Sequence, residues 1–443
     1  MSVLSDQSPF EARVRRKVTW RIIPFMFVLY LVSYIDRANI GYAALQMNQE
    51  LALSSEAFGL VSGIFFLGYF LFEVPSNLAL ARVGARRWIA RILISWGLVA
   101  ALTALVQNAT QLYVLRFLLG VAEAGFFPGI IVYLTQWFRP RDLAGTIALF
   151  MVAIPVSYVV GAPLSTAIMG HVHWFGFSGW RWMLFLEGLP ALAMGLACYR
   201  WLTDSPQQAT WLTQAERSWL VETLRSEQPG AAPAHGAGLR QALASGRVWC
   251  LSAIYFVYQC GSHGTGYWMP QIIQAFSASL SMAQIGLTAM LPYILATAGM
   301  IAWSRHSDRS GERQLHAALP LLMAALCMGG AGTVATPLLA LLLISVALTS
   351  LYASKAPFWT MASQAVPACS TVVSIAVINS LGNLGGFAGP FVIGLIKGAT
   401  GSARAGLLFL AVLLAMAFGL TLCLRLAKPA SRQRNGRTRS CRD

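Results

Sequence analysis

What most constrains this chain is a succession of twelve apolar segments, each long enough to cross a bilayer as a helix. They fall at about 20–45, 57–81, 88–107, 111–135, 144–169, 180–201, 248–274, 283–303, 315–336, 338–360, 368–397 and 404–427. Six lie on either side of a polar stretch near the middle. With 57% hydrophobic and only 11% charged residues, a soluble globular domain is excluded. The expected fold is an all-α membrane protein of twelve transmembrane helices in two six-helix halves.

The net charge of +16 does not point to nucleic acid, because of where the basic residues sit. They crowd the N-terminus (Arg13, Arg15, Arg16, Lys17), the second loop (Arg82, Arg86, Arg87, Arg91), the fourth (Arg139, Arg141), the central stretch, the eighth (Arg305, Arg309, Arg313) and the C-terminal tail. The alternate loops are nearly free of them. By the positive-inside rule both termini and the central loop are cytoplasmic, with some attraction to anionic membrane lipid. The N-terminal basic group precedes a full-length span rather than a short core with a cleavage site, so the first span is retained. Seven scattered cysteines show no metal-ligand or redox spacing and read as small buried hydrophobes. No metal and no cofactor is expected.

Ionisable side chains inside the spans are costly and by default mark a ligand or ion pathway. Asp36 and Arg37 adjoin in the first span; Arg116 and Glu123, seven residues apart in the fourth, share one side of their helix. Structural ion pairs holding spans together would account for these charges. A proton-coupled anion site is the preferred reading.

The chain also repeats. Ala81-Arg82-Val83-Gly84-Ala85-Arg86-Arg87 and Asp308-Arg309-Ser310-Gly311-Glu312-Arg313 are 227 residues apart, and the same shift carries Pro163 onto Pro390 and Asp36 onto His263. Proteins built from such repeats place their ligand near mid-membrane at the repeat interface. The domains expected are residues 1–201, a six-helix half; 202–247, a cytoplasmic linker; 248–428, the second half; and 429–443, a basic, disordered tail. Within the linker, Thr213-Gln214-Ala215-Glu216 has capping-box spacing and opens a short helix, and Gln228 to Gly238 reads as flexible.

Tyr34-Ile35-Asp36-Arg37-Ala38-Asn39-Ile40-Gly41, together with the stretch from Arg116 to Gly125, Pro357-Phe358-Trp359, the stretch from Asn379 to Gly386 and the two loop motifs, resembles the major facilitator superfamily. Within it, the chain is similar to the anion:cation symporter family of bacterial carboxylate permeases. The first loop motif departs from the usual pattern at Asn77 and Ala81, the second at Ser304. The resemblance implies a proton-coupling role for Asp36 and Glu123 and a substrate-carboxylate role for Arg37 and Arg116. It also implies substrate contacts at Tyr34, Tyr69, Trp359 and Asn379, and gating loops formed by Arg82, Gly84, Arg86, Asp308, Arg309, Gly311 and Arg313. An arginine fork matches a carboxylate and stays charged, whereas a desolvated acid can gain and lose a proton.

Lys355, one turn before Trp359, is expected to hold a second anionic group of the substrate, against the alternative of a snorkelling or paired lysine. His263, among Gly261, Gly264 and Gly266, sits where a helix is expected to break around a ligand, or else is a hydrogen-bonded core histidine. Glu73 and Glu187 read as structural, and the glycines of the eleventh span as packing positions. The function implied is a non-enzymatic, monomeric symporter of the bacterial inner membrane, importing a small organic anion with protons by alternating access. A tartrate-like or aromatic carboxylate is the leading substrate; a sugar acid is the alternative, and a non-transporting carboxylate receptor a remote one.

Overall fold

The computed structural model describes residues 8–227, 237–276, 280–366 and 371–424, and every long regular element among them is an α-helix. The expected tail, most of the segment from Gln228 to Gly238, Cys369 and Cys441 lie outside the described residues. Among the described residues, ten helical stretches have the length and hydropathy of a bilayer crossing. Two more are long enough, at 19 and 31 residues, but more polar: α3 (Ala85–Thr103) opens with Arg86, Arg87 and Arg91, and α11 (Gly246–Phe276) is diluted by Gln259, Ser262, His263 and Thr265.

The other elements of the first half are α1 (Pro9–Glu50), α2 (Ser55–Val83), α4 (Ala109–Glu123), α5 (Phe126–Thr135), α6 (Pro140–Met151), α7 (Ala153–His171) and α8 (Gly179–Trp201), then α9 (Gln214–Glu227). After α10 (Ala237–Ala244) and α11 come α12 (Met282–Ser310), α13 (Gln314–Thr333), α14 (Pro337–Ala365), α15 (Thr371–Asn383), α16 (Gly385–Thr400) and α17 (Ala403–Cys423). Local chemistry fixes several starts. Ser8 accepts the Glu11 N–H, with Pro9 as the first helical residue of α1; Ser54 caps α2 and Asn108 caps α4 in the same way.

The chain divides into two compact units, one of Met1–Ala232 with Gly266–Ile294, the other of Pro233–Thr265 with Leu295–Asp443. In the first, α3 packs on α8, α2 on α4, and α1 on both α7 and α8. In the second, α13 packs on α14 and α17. The repeat is visible in the elements: the 227-residue shift carries Ser55–Val83 of α2 onto Met282–Ser310 of α12 at both ends. It also carries Gly84 onto Gly311, and both adopt positive φ, at 93° and 70°. The two loop motifs therefore share a turn that favours glycine.

Helices α2 and α4 touch backbone to backbone. A Cβ on Gly68 would lie 2.3 Å from the Phe117 carbonyl oxygen, and one on Gly120 2.0 Å from that of Phe65. Only glycine permits this approach, which draws Phe65 and Tyr69 of α2 against the helix that carries Arg116 and Glu123. The expected break at His263 does not occur, and α11 runs unbroken from Gly246 to Phe276. Its glycines serve packing instead: a Cβ on Gly264 would meet Ile393 Cδ1 at 2.8 Å, while on α16 one on Gly385 would meet the Phe256 oxygen at 2.0 Å.

Also in the first unit, α9 begins with the capping box read from its sequence. The Glu216 amide donates to Thr213 Oγ1 at 3.3 Å and the Thr213 amide to Glu216 Oε2 at 2.9 Å. Lys17 Nζ donates to that same Glu216 oxygen at 2.8 Å, tying α9 to the start of α1. The Lys17 hydrogen bond, with the Thr213 amide behind it, holds the Glu216 carboxyl below its ordinary range.

Candidate functional site

The fourth span is not one helix. Helix α4 stops at Glu123, Ala124 turns to extended angles (φ −54°, ψ 133°), and Gly125 at φ 81° starts α5. Ser76 of α2 holds the interruption: its hydroxyl donates to the Ala124 carbonyl at 2.6 Å and accepts the Trp88 indole N–H at 3.0 Å. A Cβ at position 125 would lie 2.5 Å from that hydroxyl oxygen, so both space and backbone demand glycine. The break leaves Glu123 as the last residue of a half-helix.

Arg37 reaches Glu123 across the unit. Its Nε and Nη2 both donate to Oε1, at 2.9 and 2.7 Å, and Ser33 Oγ donates to the same oxygen at 2.6 Å. The rings of Tyr34, Phe65 and Tyr69 surround the guanidinium at 5.1 to 5.2 Å, within cation–π range. Glu123 is 1% exposed. Removing one partner of so buried a pair strands the other charge and costs about 3–5 kcal/mol.

Asp36, adjacent in sequence, is held differently. It is 3% exposed, accepts the Asn39 amide at 3.0 Å and the Trp96 indole N–H, and forms no ion pair among the described residues. Arg116 is 2% exposed and likewise forms no ion pair there. Its Nε makes one long bond, 3.4 Å, to the Val61 carbonyl; its Nη2 has no hydrogen-bond partner, and Phe65 lies 5.5 Å away. Asp36, Glu123 and Tyr267 are its electrostatic neighbours. One unit thus gathers Tyr34, Asp36, Arg37, Tyr69, Arg116 and Glu123, and among the described residues one of its two guanidinium groups is ion-paired and the other is not.

The remaining predicted residues lie elsewhere. In the second unit, His263 is buried, and Lys355, Trp359 and Asn379 are half-buried. Lys355 Nζ stands 6.0 Å from the Tyr258 ring, and Trp359 packs edge-on against Tyr255 at 4.8 Å. Of the loop residues, Arg82 is exposed on the Gly84 turn, and the Arg86 amide donates to Asp204 at 2.8 Å. In the other motif Arg313 pairs with Asp308 at 2.7 Å beside the Gly311 turn, with Arg309 exposed. Five participants were not singled out from sequence: Ser33, Asn39, Ser76, Trp88 and Trp96. Asn39, three residues after Asp36, was the one with a local signal, the spacing of neighbours on a helix.

The sequence profile described as Major Facilitator Superfamily matches residues 26–390, most of the chain. The chain belongs to that superfamily. It is a multi-pass membrane transporter and not an enzyme. Among its relatives is an Agrobacterium vitis protein named "Putative tartrate transporter", 48% identical over 419 residues that cover 95% of this chain and 93% of the relative. A "Quinolone resistance transporter" of Acinetobacter baumannii is 39% identical, covering 93% of this chain and 94% of its own. Among solved structures, the inward open xylose transporter XylE from E. coli shares the fold, with a TM-score of 0.76 at 14% identity over 93% of this chain and 98% of that one.

Proposed function

We propose that this transporter imports a small organic carboxylate, tartrate-like in having two acid groups, together with protons and by alternating access. The observation that carries the reading is Arg116: a guanidinium 2% exposed, without a carboxylate partner among the described residues, beside a second arginine whose carboxylate partner is internal. A buried cation in that state is matched by an incoming anion, and the arginine fork suits a carboxylate. The 48% identity to a protein named for tartrate supports the substrate class.

Coupling follows from the Arg37–Glu123 pair. When a substrate carboxylate competes for Arg37, Glu123 loses its counter-charge in a site of low polarity, and taking up a proton becomes the favourable outcome. Anion and proton binding are thereby linked, with Asp36 as a further proton-carrying group. In this reading Lys355 meets the second carboxylate, Tyr34, Tyr69, Trp359, Asn379 and His263 contact substrate, and the Gly84 and Gly311 loops gate. The basic loops support a reading in which both termini are cytoplasmic in a bacterial inner membrane.

Tartrate counterflow in proteoliposomes, with and without an imposed pH gradient, tests the reading. Saturable exchange that becomes accumulation when the outside is acid is the expected result. Exchange of neither tartrate nor any other small carboxylate would overturn it.

A further inference from the structure

One buried acid takes no part in the scheme above. Glu187, in the third turn of α8, is 4% exposed and forms no ion pair among the described residues. Ser165 of α7 donates to its Oε1 at 2.7 Å, while its Oε2 has no hydrogen-bond partner. Reading this glutamate as purely structural leaves that oxygen unexplained. Structural carboxylates in apolar surroundings are saturated with donors or paired with a cation, because an ionised oxygen without either has lost its hydration and gained nothing.

Its surroundings add a second observation. Asn39 donates to Asp36 Oδ1 at 3.0 Å and lies near Glu187 as well, so one amide neighbours two buried acids. The titratable groups in electrostatic reach are Asp36 and Tyr42, both on α1. Helix α7 contributes the Ser165 hydroxyl, and α3 sets Gly97, Ala100 and Ala101 against the adjoining Gly188. Nothing on this list is a cation. Two like charges so placed oppose each other, and protons then bind to the pair rather than to either acid independently.

We propose that Glu187 is a proton-carrying residue of the transport cycle, acting with the neighbouring Asp36 as a pair that holds a single negative charge. Glu123 binds one proton when substrate takes Arg37, and the Asp36–Glu187 pair binds another. The transporter therefore moves two protons with each dicarboxylate dianion, and the charge balances. This rests on the proposed symport reading, and the experiment below separates the two.

The first measurement needs no substrate. Infrared difference spectra of the full chain in lipid, between neutral and acid pH and in H2O and D2O, should contain the carbonyl stretch of a protonated, weakly hydrogen-bonded carboxylic acid. That band should vanish in Glu187→Gln. In Ser165→Ala, which keeps the acid, it should move to higher frequency; this variant decides the matter if Glu187→Gln does not fold. A wild-type spectrum without the band, or a band untouched by both variants, overturns the proposal. The second measurement is the proton-to-tartrate ratio, from the pH gradient that just balances a tartrate gradient in proteoliposomes. Two in the wild type and one in Glu187→Gln support the assignment. One in the wild type, or two in both, overturns it while leaving symport standing. Absence of tartrate movement in the wild type defeats the substrate reading instead, and the infrared band then decides Glu187 alone.

Discussion

Arg37 directs both its Nε and its Nη2 at a single oxygen of Glu123, at 2.9 and 2.7 Å, instead of spreading them over the two oxygens of the carboxylate. The fork is thus used without its natural geometry, and a ligand carboxylate meeting it side by side gains alignment that the internal partner lacks. In the proposed symport, resting pair and substrate complex are two alternatives for one guanidinium, as coupling would require.

Lysine in place of arginine keeps the charge and removes the fork. Arg116→Lys and Arg37→Lys should each weaken carboxylate binding by about 2 kcal/mol, roughly 30-fold, with uptake reduced to background. Thermal-shift titration with tartrate on the purified variants reads the affinity, since a ligand of the folded state raises its apparent stability. Near-wild-type affinity in both would remove the clamp.

The break in the fourth span gives a stability prediction. Gly125→Ala places a Cβ 2.5 Å from Ser76 Oγ and keeps φ at 81°, so a loss of about 1–3 kcal/mol from backbone strain alone is expected, with the steric clash in addition. Ser76→Ala removes the hydroxyl that bonds the Ala124 carbonyl and should cost less, about 1 kcal/mol. Melting temperatures in detergent rank the two. The opposite order would mean that the hydroxyl, not the glycine, sets the break.

How much of this was legible beforehand varies with the kind of signal. Asp36, Arg37, Arg116 and Glu123 stood out because charge inside an apolar run has few cheap explanations, and α9 was readable because its cap lies within four residues, Thr213 to Glu216. The repeat was equally plain in the two loop motifs, whereas the matching ends of α2 and α12 were not, since the apolar runs at 57–81 and 283–303 stop short of them. Trp96 was not: sixty residues separate it from Asp36, and a tryptophan in an apolar span carries no mark of the acid it will bond. Glycines mislead for a related reason. Gly125 breaks its helix and Gly264 packs one, yet in sequence both are glycines in apolar surroundings. What separates them is the neighbour: a serine waiting for a freed carbonyl in one case, an isoleucine side chain in the other.

Electrical balance is a third test. Moving one net negative charge into a cell costs about 2.3 kcal/mol per 100 mV of interior-negative potential. A dianion carried with two protons avoids that cost, so a potassium diffusion potential of either sign should leave initial tartrate uptake unchanged. Uptake driven faster by an inside-positive potential would show that uncompensated negative charge enters.

The pH response of α9 should be one-sided. Its carboxyl, Glu216, is held below the ordinary range by Lys17, so the stabilisation it provides is complete above the unfolded value and is lost as pH falls through the lower, folded one. Hydrogen exchange in Gln214–Glu227 should therefore be flat, after correction for intrinsic rate, from alkaline pH down to the ordinary carboxylate range, and rise only in more acid solution. Glu216→Gln should show the raised exchange at every pH. A rise near neutrality would point to another group.

The repeat bears finally on ancestry. The 227-residue shift that superimposes helix ends carries Asp36, Arg37, Arg116 and Glu123 onto His263, Gly264, Leu343 and Ser350. No acid and no arginine is among the four. A duplicated gene would begin with two copies alike in architecture and in chemistry; here the architecture has persisted in both while the charges belong to one. Divergence after duplication has therefore worked on side chains inside a retained scaffold, and a pairing of two first halves would repeat the charges rather than reconstruct the carrier.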